Sequence, residues 1–255
     1  MFSDALAIWG RALRQGAVWS ALIWTVLFAF VLMLVLMLMG AGTIASMFYH
    51  PSLAFSGGNP FAGTPNVGNL MGGILVMDLV ALAAGPFLAA GVYGLYGQAV
   101  AETPITWRSF WTFGGEFYGR AWGVVLFSII WIITLSVAAL LFVGILHTVG
   151  IVLISAGVIL SWPFVIRMIG GLFVDRRTWS DSFGRMFRGH HYGGLLGGGF
   201  LMLFAYAALM LLAVLILRAA PAIGILLYAA IALFLAVAGP VWMFSLYRAT
   251  TTSGA

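Results

Sequence analysis

Long apolar runs separated by short polar connectors make up the chain from about residue 18 onward. A helix needs about 20 apolar residues to cross the hydrocarbon core of a bilayer. Measured against that length, the pattern predicts six membrane-spanning helices, at residues 18–47, 70–100, 121–147, 151–174, 193–217 and 222–246. The connectors are too short for a separate soluble domain. We therefore predict one all-α membrane domain over residues 1–255.

Three prolines lie inside these runs at an equal interval of 77 residues: Pro86, Pro163 and Pro240. The interval predicts three repeats, over about residues 1–103, 104–176 and 177–255, each ending in a returning span that contains a proline. Proline removes a backbone donor and clashes with the preceding turn, so each returning helix should be kinked. Such kinks either let unequal helices pack or open backbone carbonyls toward a cavity.

An amphipathic segment precedes the first span. Phe2, Leu6, Trp9 and Leu13 recur at helical spacing, which predicts an interfacial helix over residues 2–15. Similar segments begin at Thr106-Trp107-Arg108 before span three and at Thr178-Trp179-Ser180-Asp181 before span five. Thr178 and Asp181 have the spacing of a helix N-cap. Each repeat is therefore predicted to be an interfacial helix followed by a transmembrane hairpin. The interfacial helices either anchor the protein or form a docking surface.

Composition supports lipid as the solvent. Charged residues make up 7% of the chain and hydrophobic residues 64%, whereas soluble domains carry about 25% charged residues. Cysteine is absent from the sequence, which excludes disulfides and thiolate metal sites.

The basic residues, all arginine, are strongly sided along the predicted topology. Ten of the 11 arginines fall on one side of the membrane in this topology. Only Arg218, between spans five and six, falls on the other side. The positive-inside rule then predicts a multi-pass bacterial inner-membrane protein with both termini in the cytoplasm. This sidedness argues against nucleic acid as a partner. Arginines predicted to meet lipid phosphate at the interface are Arg11, Arg14, Arg108, Arg176, Arg177, Arg185 and Arg188.

Asp78 is the one carboxylate predicted at bilayer depth, about 13 Å from the outer side at about 1.5 Å per residue. An ionised, unpaired carboxylate is costly there, so Asp78 must be protonated, paired or in contact with water. Arg218 and His147, at the outer edge, are possible partners. Asp78 is either a hydrogen-bonded packing residue or a site of proton or cation coupling.

Glycines mark close helix contacts in span five. Gly193 with Gly197, and Gly194 with Gly198, form small-xxx-small pairs that let backbones approach closely. We predict packing within the chain, with homo-oligomer formation as the alternative.

Residue types for catalysis are scarce. The other five acidic residues lie on the arginine-rich side, where they suit helix caps or arginine pairs. A haem needs ligands on facing helices, and His50 lies in a loop opposite His147. We therefore predict no enzyme, no cofactor and no metal site.

Three short segments carry a family resemblance: Gly85 to Gly94 followed by Glu102; Pro163-Phe164 leading to Asp175-Arg176 and Ser182; and Gly239-Pro240-Val241-Trp242 leading to Tyr247-Arg248. Over spans two to six the chain resembles a bacterial family of integral membrane proteins known as domain of unknown function 2189. The resemblance implies the fold and no particular activity, although some members are labelled cytochrome c oxidase-like. That family often has a histidine near its last segment; Trp242-Met243-Phe244-Ser245 has none, which disfavours haem.

Two function classes follow from these patterns. The first is a non-catalytic accessory, scaffold or lipid-interacting protein, acting with the lipid bilayer and in a membrane protein complex or homo-oligomer. The alternative is a small-solute or proton-linked transporter or channel that uses Asp78.

Overall fold

The computed structural model describes residues 1–49, 67–187 and 191–252. Every regular element in these ranges is an α-helix, which confirms the prediction of an all-α protein. In chain order the helices are α1 (Phe2–Arg14), α2 (Gly16–Tyr49), α3 (Val67–Val100), α4 (Ser109–Glu116), α5 (Tyr118–Leu146), α6 (Thr148–Phe173), α7 (Trp179–Met186), α8 (Tyr192–Ala219) and α9 (Pro221–Thr252). His50, Arg188 and His190 lie outside the described residues.

Several helices are long and apolar enough to cross a membrane. Within the described residues there are five such spans: Asp78–Val100, Tyr118–Leu146, Thr148–Phe173, Tyr192–Arg218 and Pro221–Thr252. A sixth results if α1 and the start of α2, which meet at a bend of 67°, are taken as one span. The protein is therefore a multi-pass membrane protein by length and composition.

The last helix runs six residues beyond its predicted end, to Thr252. Threonine hydroxyls bond to the backbone within this extension. Thr250 Oγ1 donates to the carbonyl of Tyr247 at 2.7 Å, and Thr251 Oγ1 donates to that of Arg248 at 2.8 Å. Thr252 Oγ1 donates to the carbonyl of Ala249 at 3.3 Å, one of the last four carbonyls, which a helix C-terminus leaves without an intrahelical partner.

The chain divides into two compact units. One unit, Ile23–Leu88, holds most of α2 and the first part of α3. Its described apolar side chains are largely exposed, as Phe30 and Leu79 illustrate. Exposure of this kind suits helices surrounded by hydrocarbon.

The other unit comprises Met1–Leu22 and Ala89–Ala255. Its hairpins are tight: His147 alone connects α5 to α6, with a φ of 50°. Its buried core lies at the arginine-rich end of the helices. There the rings of Phe117 and Phe173 are 5.5 Å apart, and those of Phe173 and Phe244 are 6.4 Å apart. All three of these phenylalanines are fully or almost fully buried.

The short helices at this end each pack on a long helix. Helix α4 packs on the last turns of α3, where a Cβ at Gly91 would lie 2.7 Å from the ring of Phe110. Helix α7 packs on α6, where a Cβ at Gly171 would lie 3.0 Å from Ser182 Oγ. Helix α1 packs on α9 through Trp9 and Trp242, whose rings are 6.1 Å apart. The absence of a side chain at Gly91 and at Gly171 therefore allows α4 to approach α3 and α7 to approach α6.

Candidate functional site at the arginine-rich end

Gln98 begins the polar network at this end. It lies on the last turn of α3 and is 2% exposed, so both ends of its amide need partners. Its Nε2 donates to the carbonyl of Phe173 at 2.7 Å, and its Oε1 accepts from Arg176 Nε at 3.1 Å. One buried amide thus joins the end of α3 to the end of α6.

Arg176 extends the network to α4. Its φ of 55° turns the chain sharply after α6, and its Nη1 lies 3.0 Å from Glu116 Oε1. The Arg176 guanidinium also lies 5.8 Å from the centre of the Phe117 ring. The same ring is covered by Arg120 at 4.8 Å, and Arg120 Nη2 donates to the carbonyl of Arg176 at 2.9 Å. Arg176 therefore fixes the position of the connector between α6 and α7.

Asp175 forms the second node of the network. Its Oδ2 accepts from the hydroxyl of Tyr247 at 2.6 Å and lies 2.9 Å from Arg177 Nη2. Arg248 Nη1 approaches its Oδ1 at 3.8 Å. Because Tyr247 and Arg248 belong to α9, this half-buried carboxylate ties the end of α6 to the end of α9.

Exposed ion pairs surround this core. Arg11 Nη2 lies 2.8 Å from Glu102 Oε1, and Arg185 Nε lies 2.8 Å from Asp181 Oδ1. Exposed pairs of this kind contribute about 0–1 kcal/mol. They can therefore be exchanged for contacts with lipid phosphate at little cost.

The predicted lipid-facing arginines thus fall into groups. Arg11, Arg176, Arg177 and Arg185 each pair with a carboxylate of the chain, and Arg188 lies outside the described residues. Arg14 and Arg108 are exposed, and across the described ranges neither pairs with a carboxylate. Arg108 lies 5.5 Å from the ring of Trp107, beside the exposed Trp111. Cationic and aromatic side chains together suit a headgroup layer.

The prolines Pro163 and Pro240 lie inside α6 and α9, close to donors from other helices. Tyr192 Oη donates to the carbonyl of Leu160, and Trp9 Nε1 donates to that of Ala238 at 2.9 Å. Pro86 lies inside α3, in the other unit. The carbonyls that these prolines leave without a helical donor are those of Ile159 and Ala236, four residues before them, so each bond lies within two residues of such a carbonyl.

The glycines of α8 lie mainly against other parts of the chain. A Cβ at Gly194 would contact Met1, one at Gly197 would lie 3.6 Å from Phe2, and one at Gly198 would lie 2.5 Å from Leu246. Gly193 faces open space.

Asp78 lies in the first part of α3 and is exposed. Its proposed partners, Arg218 and His147, belong to the other unit and are also exposed. Arg218 is in the last turn of α8, and His147 is the turn between α5 and α6. Their pairing with Asp78 stays a prediction.

Histidines and carboxylates do not converge in the described part of the chain, where no group of three or more could hold a metal ion. His191 is exposed at the start of α8, with a φ of 67°.

Two apolar cavities flank α8. One, of about 240 Å³, lies between α1, α8 and α9 and is lined by residues that include Leu6, Trp9, Met202, Ala205 and Gly239. The other, of about 140 Å³, lies between α6 and α8 beside Trp162 and Gly199. Their linings suit hydrocarbon better than water.

Sequence reasoning missed Gln98 and Tyr247. A signal was present: Gln98 and Asp175 are 77 residues apart, the same interval as the prolines. The equal interval places a polar side chain in the last turn of α3 and another just after the end of α6.

Comparison of the chain with family models, with curated proteins and with solved structures found no match. The resemblance seen in the sequence therefore stays a prediction.

Proposed function

We propose that this protein is a lipid-interacting scaffold of the bacterial inner membrane, a non-catalytic accessory to other membrane proteins, with both termini in the cytoplasm. The observation that carries the proposal is the arginine-rich end. Its half-buried charges are bound to one another, as Asp175 and Arg177 show, while Arg14 and Arg108 are exposed. Charged side chains that pair with one another hold the helix ends in place. Exposed arginines beside tryptophan are suited to contact with lipid headgroups.

The threefold repeat predicted from the sequence, which we propose for the fold, would support the scaffold role. Helix α4 packs on the returning helix of the first repeat, α7 on that of the second and α1 on that of the third. We propose that these three contacts form a closed ring in which each interfacial helix docks on the preceding returning helix. Each contact would hold an interfacial helix against the end of one returning helix. We also assign the chain to the family called domain of unknown function 2189, on the three proline-containing segments.

Retention of anionic phospholipid tests the proposed function. We expect the protein purified in mild detergent to keep bound phosphatidylglycerol or cardiolipin, detected by native mass spectrometry. Combined replacement of Arg14→Gln and Arg108→Gln should lower the retained anionic lipid severalfold, because each cation near the surface contributes about 1 kcal/mol. Arg218→Gln is the matched control at the other end of α8 and should leave retention unchanged.

Absence of bound lipid from the unmodified protein would contradict the proposal. Proton-linked flux in liposomes that Asp78→Asn abolishes would support transport instead.

Membrane orientation can be tested directly because the sequence has no cysteine. Thr148 and Ser180 are exposed, at the start of α6 and in α7. We expect Thr148→Cys to react with a membrane-impermeant maleimide in intact spheroplasts, and Ser180→Cys to react only after the membrane is permeabilised. The opposite labelling pattern would reverse the proposed topology, and equal labelling of both would disprove a hairpin that crosses the membrane.

A further inference from the structure

We infer that α7 is a releasable interfacial helix, which undocks from α6 while α4 stays docked on α3. The two short helices have eight residues each. They pack on glycines that are 77 residues apart, Gly94 for α4 and Gly171 for α7. They differ in the side chains that they bury. The inference goes beyond the proposed function, because it concerns how one part of the fold opens and not which lipid is bound.

Helix α4 docks through aromatic side chains. Phe110 and Phe113 are buried, and so is Phe117, which directly follows the helix. A Cβ at Gly94 would lie 2.6 Å from Phe113 Cβ and 2.8 Å from the ring of Phe117. Aromatic rings bury large apolar areas, and the burial of apolar area stabilises a contact that would otherwise face water. Undocking of α4 would expose all three rings, so α4 is firmly held.

Helix α7 buries smaller side chains. Ser182 and Met186 are its buried residues. Its phenylalanine, Phe183, is 41% exposed, and Phe187, directly after the helix, is 61% exposed, although both rings contact other aromatic rings. Undocking of α7 therefore gives up less apolar burial than undocking of α4.

The docked position of α7 is also opposed by a buried hydroxyl. Ser182 is 2% exposed, and its Oγ has no hydrogen-bond partner among the described residues. A Cβ at Gly171 would lie 3.0 Å from this oxygen, so the hydroxyl lies against α6. A buried polar group without a partner destabilises the state that buries it. Water can solvate the hydroxyl once α7 has undocked.

Contacts at both ends of α7 make the docked position specific. Arg167 Nη1 of α6 donates to the carbonyl of Met186 at 3.5 Å, at the C-terminal end of α7, where a cation is favourable. A Cβ at Gly123 of α5 would lie 2.9 Å from the ring of Trp179, at the start of α7. These contacts return α7 to one place, so its release is a change between two defined states.

Hydrogen–deuterium exchange of the unmodified protein in mild detergent tests the release. Isolated helices shorter than about 12 residues are marginal in water, so the amides of α7 should exchange when it undocks. We expect Trp179–Met186 to exchange faster than Ser109–Glu116 by about tenfold or more. Helix α4 is the matched control because it has the same length. Equal or slower exchange in α7 would overturn the inference.

Replacement of Ser182 by alanine tests the cause. Ser182→Ala removes the desolvated hydroxyl and keeps the Cβ, so it should favour the docked state and slow exchange in α7 severalfold. Ser245→Ala is the control, because Ser245 is equally buried in α9 but its hydroxyl donates to the carbonyl of Val241 at 2.8 Å. That change should leave exchange in α7 unaltered. Unchanged or faster exchange in Ser182→Ala would show that the hydroxyl does not oppose docking.

Cysteine reactivity gives the same answer in the membrane, because the natural sequence has no cysteine. In permeabilised spheroplasts, Ser182→Cys should react with a maleimide more slowly than the exposed Ser180→Cys. It should react faster than Ser245→Cys by about tenfold or more, because it needs only the release of α7. Protection of Ser182→Cys equal to that of Ser245→Cys would contradict the release. None of these measurements depends on bound lipid, so they can fail while the lipid proposal holds.

Discussion

Replacement of Gly97 by alanine is expected to destabilise the arginine-rich end. A Cβ at Gly97 would lie 2.6 Å from the carbonyl oxygen of Phe173 and 3.0 Å from its Cβ. The first of these atoms is backbone at the end of α6, so a rotamer change cannot relieve the contact. Overpacking of this kind costs about 1–3 kcal/mol. For a chain of this size, we expect the midpoint of thermal unfolding to fall by about 2–12 °C.

Gly157→Ala provides the matched control for that measurement. Gly157 is in α6, and a Cβ there would have nothing within 4 Å. A helical Gly→Ala change without a clash gains about 0.5–1 kcal/mol. Circular dichroism at 222 nm in one detergent would follow both variants. If Gly97→Ala unfolds at or above the temperature of the unmodified protein, the ends of α3 and α6 are not held together as described.

Gln98→Leu should be similarly severe, for an electrostatic reason. Leucine has nearly the same size but leaves Arg176 Nε and the carbonyl of Phe173 without the amide that they share. A buried polar group without a partner costs about 1–3 kcal/mol. We expect the free energy of unfolding, measured by titration with sodium dodecyl sulfate, to fall by about that amount.

A double-mutant cycle separates the loss of the hydrogen bond between Gln98 and Arg176 from a general loss of packing. Gln98→Leu and Arg176→Met together should destabilise less than the sum of the single changes, with a coupling of about 1 kcal/mol or more. Gln15→Leu is the control, because the Gln15 amide makes one long bond of 3.4 Å to Ala99. That change should stay within about 0.5 kcal/mol. Additive effects of Gln98→Leu and Arg176→Met would disprove the shared contact.

The helices themselves could be predicted from the sequence because their signals are local. Apolar runs located the long helices to within a few residues at most ends. Thr178 caps α7 through its Oγ1, which accepts from the Asp181 amide at 3.4 Å. The sequence also predicted α1, whose observed bounds are Phe2–Arg14. These features depend on hydrogen bonds and side-chain spacing within one or two turns.

The contacts between helices could not be predicted in the same way. Arg176 was expected to meet lipid phosphate, and the structure pairs it with Glu116, 60 residues away, and with Gln98, 78 residues away. The partner of each arginine depends on which residues of neighbouring long helices lie side by side. Apolar runs alone do not show which residues of two helices are neighbours. The 77-residue interval is a long-range signal, and it relates Gln98 to Asp175 as well as the prolines to one another.

The contact of Trp9 with Ala238 has a consequence for biosynthesis. These residues are 229 positions apart, so the first helix reaches the ribosome exit long before its partner is made. At about 5–20 residues per second, the delay is about 10–45 s. During that time the nascent chain must keep an amphipathic segment at the membrane surface, where other proteins can reach it. Translation of α9, rather than insertion of α1, therefore sets the moment at which this contact can form.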